Sequence, residues 1–104
     1  MRLKRYEILL PLLYNNGLKI EKEKFLIINK ELIERFGATT TDSTKIVGQW
    51  IYQKQLYEDK LIRITVDVPE LEDSETFFRR YKEVLKERFK QIDIWISSYS
   101  IEII

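Results

Sequence analysis

The 104-residue sequence predicts an α+β sandwich, a four-stranded antiparallel sheet of order 4-1-3-2 with two helices on one face. Three observations carry this prediction. Ile62, Ile64, Val66 and Val68 alternate with Leu61, Arg63, Thr65 and Asp67, the period of a half-buried strand. Phe77, Phe78, Tyr81, Val84, Leu85 and Phe89 recur at the spacing of one helix face. That helix then runs straight into a second alternation at Ile92, Ile94 and Ile96, so a helix feeds a strand with almost no loop.

A chain of this length has room for one core, and residues 1–104 are read as a single domain. Hydrophobic residues at 44% and charged residues at 34% describe a folded globular chain rather than a disordered one. Eighteen basic against seventeen acidic residues leave a net charge of +1, which offers no field to attract a polyanion and disfavours nucleic acid. Without cysteine there is no disulfide or thiol chemistry. Without histidine as well, the usual zinc ligands and the usual neutral-pH base are missing, so no cofactor, metal site or catalytic residue is assigned. A cytoplasmic setting fits the absence of cysteine.

The elements follow in order. Residues 1–17, MRLKRYEILLPLLYNNG, place positive charge before leucines as a secretory signal does. Glu7 and Pro11 interrupt the apolar run, no small-residue cleavage site follows, and the run is too short to span a bilayer. The stretch is read as a first strand over 5–13, with no membrane association. Both of its faces carry apolar residues, which suits a central position, and Pro11 belongs near its end. Phe25, Ile28, Leu32, Ile33 and Phe36 predict a helix over 21–36, stopped by Gly37 in the left-handed region. Residues 38–44, ATTTDST, are read as a polar loop, 45–52 as a second strand with a bulge or close approach at Gly48, and 53–58 as a turn. The third strand covers 59–68 and is closed by Pro69. Asp73 or Ser74 is expected to cap the second helix, with Glu70, Glu72 and Glu75 beside its positive end. Capping accounts for these acids without a metal. The cations from Arg79 to Lys90 interleave with Glu83 and Glu87 as a solvated, ion-paired face. The last strand covers 92–104, and its phase change at Ser97-Ser98 predicts a bulge that would return Tyr99, Ile101 and Ile103 to the side of Ile94 and Ile96.

Strand, helix, strand, strand, helix, strand is the split βαβ order of ferredoxin-like domains. Ile8, Leu10, Ile62, Ile64, Val66, Ile94 and Ile96 are placed under the helices, against Phe25, Leu32, Phe36, Phe77, Tyr81, Leu85 and Phe89. The reverse, open face then carries Glu7, Leu9, Arg63, Thr65, Asp67, Trp95 and Ser97. Val47, Gln49 and Ile51 join it, or Trp50 if Gly48 shifts the register. These seven residues are the candidate ligand or self-association contacts, with Tyr6, Trp50 and Tyr99 as secondary candidates. Glu7 and Arg63 are expected to be within reach of an ion pair there.

The RYEILLPL strand, the ERFGATT turn followed by GQW, and the FRRYKEVLKERFKQ helix resemble a family of small bacterial ferredoxin-like proteins. That resemblance spans nearly the whole chain, implies the fold, and supplies no catalytic residue to transfer. Function is therefore read from the open face. The leading expectation is a non-enzymatic interaction protein, a homodimer through that face or an edge strand, or one that meets another protein. The alternative is a small-molecule binder or enzyme of the dimeric α+β barrel kind, with a carboxylate as base and Arg63 holding an anion. RNA binding ranks last, because residues 61–68, LIRITVDV, offer no aromatic for base stacking.

Overall fold

The computed structural model describes residues 1–104. It contains β1 (Arg2–Pro11), α1 (Lys22–Phe36), β2 (Thr40–Tyr52), β3 (Gln55–Val68), α2 (Glu72–Phe89) and β4 (Trp95–Glu102). The sheet order is β2-β3-β1-β4 with all neighbours antiparallel, the ferredoxin-like order expected from the sequence.

One face of the sheet is closed by the helices. Tyr6, Ile8 and Leu10 of β1, Ile64, Val66 and Val68 of β3, and Ile94 just before β4 are buried against Ile28 and Leu32 of α1 and Phe78, Tyr81, Leu85 and Phe89 of α2. The strand residues are all even-numbered, as a pleat that sends alternate side chains to opposite faces requires. Aromatic rings knit the helices to the sheet. Phe78 stacks on Tyr6 with centroids 4.0 Å apart and on Phe36 at 5.3 Å, while Phe25 meets Phe89 edge-on at 5.5 Å. Beside them, Glu31 of α1 accepts bonds from the Arg88 guanidinium and, at 3.0 Å, from the Tyr81 hydroxyl, tying the two helices. The Arg88 bonds hold the Glu31 carboxyl below its ordinary range, and burial pushes the Tyr81 phenol up.

Gly37 adopts φ 90° and donates its N–H to Ile33 O at 2.8 Å, closing α1 as expected. The start of α2 departs from expectation. Leu71 is the N-cap residue, no side chain caps the helix, and Ser74 is buried inside the first turn. The acids of that turn, Glu72, Asp73 and Glu75, still face the positive helix end.

Two further boundaries move, and an irregularity changes strand. The hydroxyl-rich stretch read as a loop belongs to β2 from Thr40 onward, because β-branched threonines suit a pleated edge strand. The turn read at 53–58 shrinks to Gln53 and Lys54, both at positive φ (49° and 63°), so β3 begins at Gln55. The last strand shows no bulge at Ser97-Ser98: its register with β1 runs unbroken from Trp95↔Leu9 to Glu102↔Arg2. Tyr99 and Ile101 therefore point away from the helices. The irregularity lies in β2 instead, between Asp42 and Ile46.

Candidate functional site

The open face is built by register. Glu7 lies across from Thr65 on β3 and Ser97 on β4, Leu9 across from Arg63 and Trp95, and Arg5 across from Asp67 and Tyr99. All seven primary candidates and Tyr99 thus share one face. Trp50 joins them, paired with Tyr57: the irregularity at 42–46 sets four steps of β2 against two of β3 and so keeps the alternation, which leaves Thr40, Asp42, Ile46, Gly48 and Trp50 all on this side. The pairing corrects the placement of Val47, Gln49 and Ile51: they lie across from Lys60, Glu58 and Leu56, even positions of β3, and so fall on the opposite face. Tyr6 is also corrected: it is 4% exposed beneath the helices, with its ring on Phe78, because it shares the even register of Ile8 and Leu10.

A polar network occupies the centre of this face. The Arg5 guanidinium donates from Nε and Nη2 to the two Asp67 oxygens at 2.7 and 3.0 Å, and these bonds raise its own pKa. Tyr99 donates its hydroxyl to Glu7 Oε1 at 2.9 Å. Arg63 Nε stands 3.8 Å from Glu7 Oε2, an ion-pair distance too long for a hydrogen bond. Arg63 Nε is consequently a buried donor with no partner, although the guanidinium as a whole is half-exposed. The sequence reading anticipated the proximity of Glu7 and Arg63 but missed the stronger Arg5–Asp67 pair. On the β2 side, the N–H of Thr44 donates to Asp42 Oδ1 at 2.9 Å and holds that carboxyl below its ordinary range.

Next to the network, along β1 from Glu7, the face deepens into a cleft of about 300 Å³. Leu9, Leu61 and Gly48 line it together with Trp50, Trp95 and Asp59. Two indoles from strands at opposite edges of the sheet thus meet one space. Trp50 is held in place: its Nε1–H donates to Asp59 Oδ2 at 2.6 Å and its ring stacks on Tyr57 with centroids 4.7 Å apart. Trp95 is 66% exposed and has no such restraint. A Cβ on Gly48 would come within 3.3 Å of Leu61 Cδ1, so the missing side chain helps keep the cleft open. Asp93, which also lines the space, receives the Ile94 N–H at 2.9 Å and pairs with Lys82 Nζ at 3.0 Å. Chemically this is an apolar, aromatic slot with carboxylates at its rim and an arginine donor nearby. Such a slot suits a planar ring attached to a charged group. The part played by Asp59 is not signalled by the sequence, because it depends on how far the β2–β3 hairpin extends past β1, and that of Asp93 depends on the path between α2 and β4.

No protein-family model matches the chain, and no curated protein matches it in sequence. Its fold is similar to that of a phage SAM lyase solved in complex with S-methyl-5'-thioadenosine, with a TM-score of 0.68 at 16% sequence identity. The match covers 97% of this chain and 90% of that one. This likeness supports the α+β architecture, and it runs against the leading expectation of a non-enzymatic interaction protein. That neighbour is an enzyme holding a small nucleoside ligand, which the alternative expectation of a small-molecule binder or enzyme fits better. No helix is long and apolar enough to cross a membrane.

Proposed function

We propose that the chain is a small-molecule enzyme whose open-face cleft takes an adenosine bearing a sulfonium or thioether group, S-adenosylmethionine being the leading substrate. The observation that carries this reading is the aromatic cleft flanked by Trp50 and Trp95, adjoining a buried Arg63 donor with no partner. Adenine offers a flat face to stack on indole, a sulfonium is drawn to aromatic faces and to carboxylates, and an amino-acid carboxylate supplies the acceptor that Arg63 Nε lacks. The fold neighbour's ligand has the same thioether-nucleoside chemistry.

The residue inventory is compatible with such a reaction. When the substrate's own carboxylate oxygen attacks the side-chain carbon bound to the sulfonium, a carbon–oxygen bond forms to give a lactone as the carbon–sulfur bond breaks. Both electrons of the broken bond go to sulfur, and the thioether leaves neutral. The leaving group needs no proton, so a chain without histidine or cysteine lacks nothing for that departure. Glu7, held between the Tyr99 hydroxyl and Arg63, is the proposed carboxylate at the reacting end. Thr65 and Ser97 flank it on the neighbouring strands. Closing the cleft against a second copy, as in α+β barrels, is part of this proposal, and a cytoplasmic setting supplies the substrate. The test is incubation with S-adenosylmethionine and chromatographic analysis for S-methyl-5'-thioadenosine, alongside calorimetric titration with both compounds. Formation of the thionucleoside above the uncatalysed rate, lost in Glu7→Gln, supports the reading. Absence of binding by either nucleoside at millimolar concentration rejects it.

A further inference from the structure

On the helix side of the sheet, away from the open-face cleft, a second cavity of about 180 Å³ lies between α2 and β4. Lys4 and Tyr6 of β1 and Ser98 of β4 line it from the sheet, and Glu75, Arg79 and Lys82 line it from the helix. Three cations thus face one carboxylate. Arg79 donates to Glu75 at 2.7 and 3.2 Å, and Lys82 pairs with Asp93 at 3.0 Å. Lys4 takes part in no ion pair; its Nζ sits 5.6 Å from the centre of the Tyr6 ring.

Tyr6 is the second, independent observation. The residue is 4% exposed, its ring is stacked on Phe78, and its hydroxyl is buried with no hydrogen-bond partner. A buried hydroxyl without a partner costs folding free energy, and phenylalanine would supply the same stacking without that cost. Packing accounts for the ring and leaves the oxygen unexplained.

We propose that this cavity is a binding site for a small oxyanion of the phosphate class, with the Lys4 ammonium and the Tyr6 hydroxyl as its principal donors and Arg79, Lys82 and Ser98 around them. Pockets that enclose drug-sized ligands occupy about 300–1,000 Å³. A volume of 180 Å³ therefore suits an ion better than a nucleoside. The donors come from both sheet and helix, so a tetrahedral acceptor with several oxygens can engage more of them than a planar carboxylate can. The carboxylates of Glu75 and Asp93 are already engaged by Arg79 and Lys82, which reduces their repulsion of an incoming anion. Bound phosphate would fasten α2 to β1 and β4 on the side of the sheet opposite the cleft.

The test is calorimetric titration of the intact chain with inorganic phosphate at constant ionic strength. Thermal melts run in parallel, with chloride as the control for general salt effects. Saturable binding and a melting temperature that rises with phosphate are expected. Lys4→Ala and Tyr6→Phe should each weaken phosphate binding roughly tenfold, the loss typical of one hydrogen bond to a charged group. Without phosphate, Tyr6→Phe should melt above the parent protein, because the unpaired hydroxyl is gone. Acetate should bind more weakly than phosphate. Absence of saturable binding, phosphate affinity unchanged in both variants, or acetate binding as tight as phosphate overturns the proposal.

Discussion

Replacing Trp95 by alanine separates a ligand wall from a structural prop. Trp95 is 66% exposed, so about one third of its surface is covered in the absence of ligand. A tryptophan presents up to about 250 Å², which leaves roughly 80 Å² of buried area and, at about 25 cal/mol per Å², a ceiling near 2 kcal/mol. A denatured chain that already shelters part of its apolar surface lowers this, and about 1 kcal/mol is the expected loss of stability. The binding effect should be larger in proportion. Stacking of a base on an aromatic side chain is worth about 1–3 kcal/mol, which corresponds to a fall in nucleoside affinity of about 5- to 150-fold. Calorimetric titration with S-methyl-5'-thioadenosine measures the affinity, and urea denaturation followed by circular dichroism measures the stability. A variant that retains parental affinity refutes the placement of the ring against the ligand. A variant that loses several kcal/mol of stability refutes the view of Trp95 as a free wall.

Other changes test the scaffold that sets the cleft. Leu85→Ala removes a fully buried side chain from the helix–sheet core and should cost about 2–5 kcal/mol by chemical denaturation. Gly37→Ala places a Cβ at φ 90° and should cost about 1 kcal/mol, although no atom within 4 Å obstructs it; a neutral result would mean the helix end has rearranged. Because the Glu31 carboxyl is held below its unfolded value near 4.5, its bond with Arg88 contributes stability in full above that pH, and the contribution disappears as pH falls through the lower folded value. Both side chains are about one third exposed, so the contribution is about 1 kcal/mol. Arg88→Ala should flatten that part of the acid limb in denaturant melts across the carboxylate range.

The parts of the fold that were readable from residues alone are those where burial leaves an unambiguous period. Ile64 and Val66, or Phe78, Tyr81, Leu85 and Phe89, can sit only on a strand or helix face turned inward, and they do. The open face was less readable because it is apolar as well as polar. Tyr99 and Ile101 look like core residues that need a bulge, whereas they belong to the second face of an unbroken strand. In β2, Ile46 and Trp50 on one face and Val47 and Ile51 on the other are all apolar, and the Asp, Ser and Thr before them carry no hydrophobic period, so the faces of Val47 and Trp50 could not be told apart. The Arg5–Asp67 pair was within reach of a register argument. Once Ile8 is set across from Ile64, the two charges fall opposite each other three positions along.

The β2–β3 hairpin reaches past the end of β1, so residues 55–59 pair with β2 alone, and Ile51 and Leu56 near its tip are 73% and 64% exposed. A two-strand ribbon with little beneath it opens more readily than the central sheet. Trp50 and Asp59 therefore ride on the most compliant part of the molecule, whereas Leu9 is anchored in its stiffest strand. A guest entering between them is gripped by one jaw that yields and one that does not. Its arrival should register first as slowed amide exchange along the ribbon, well before any change in the helices.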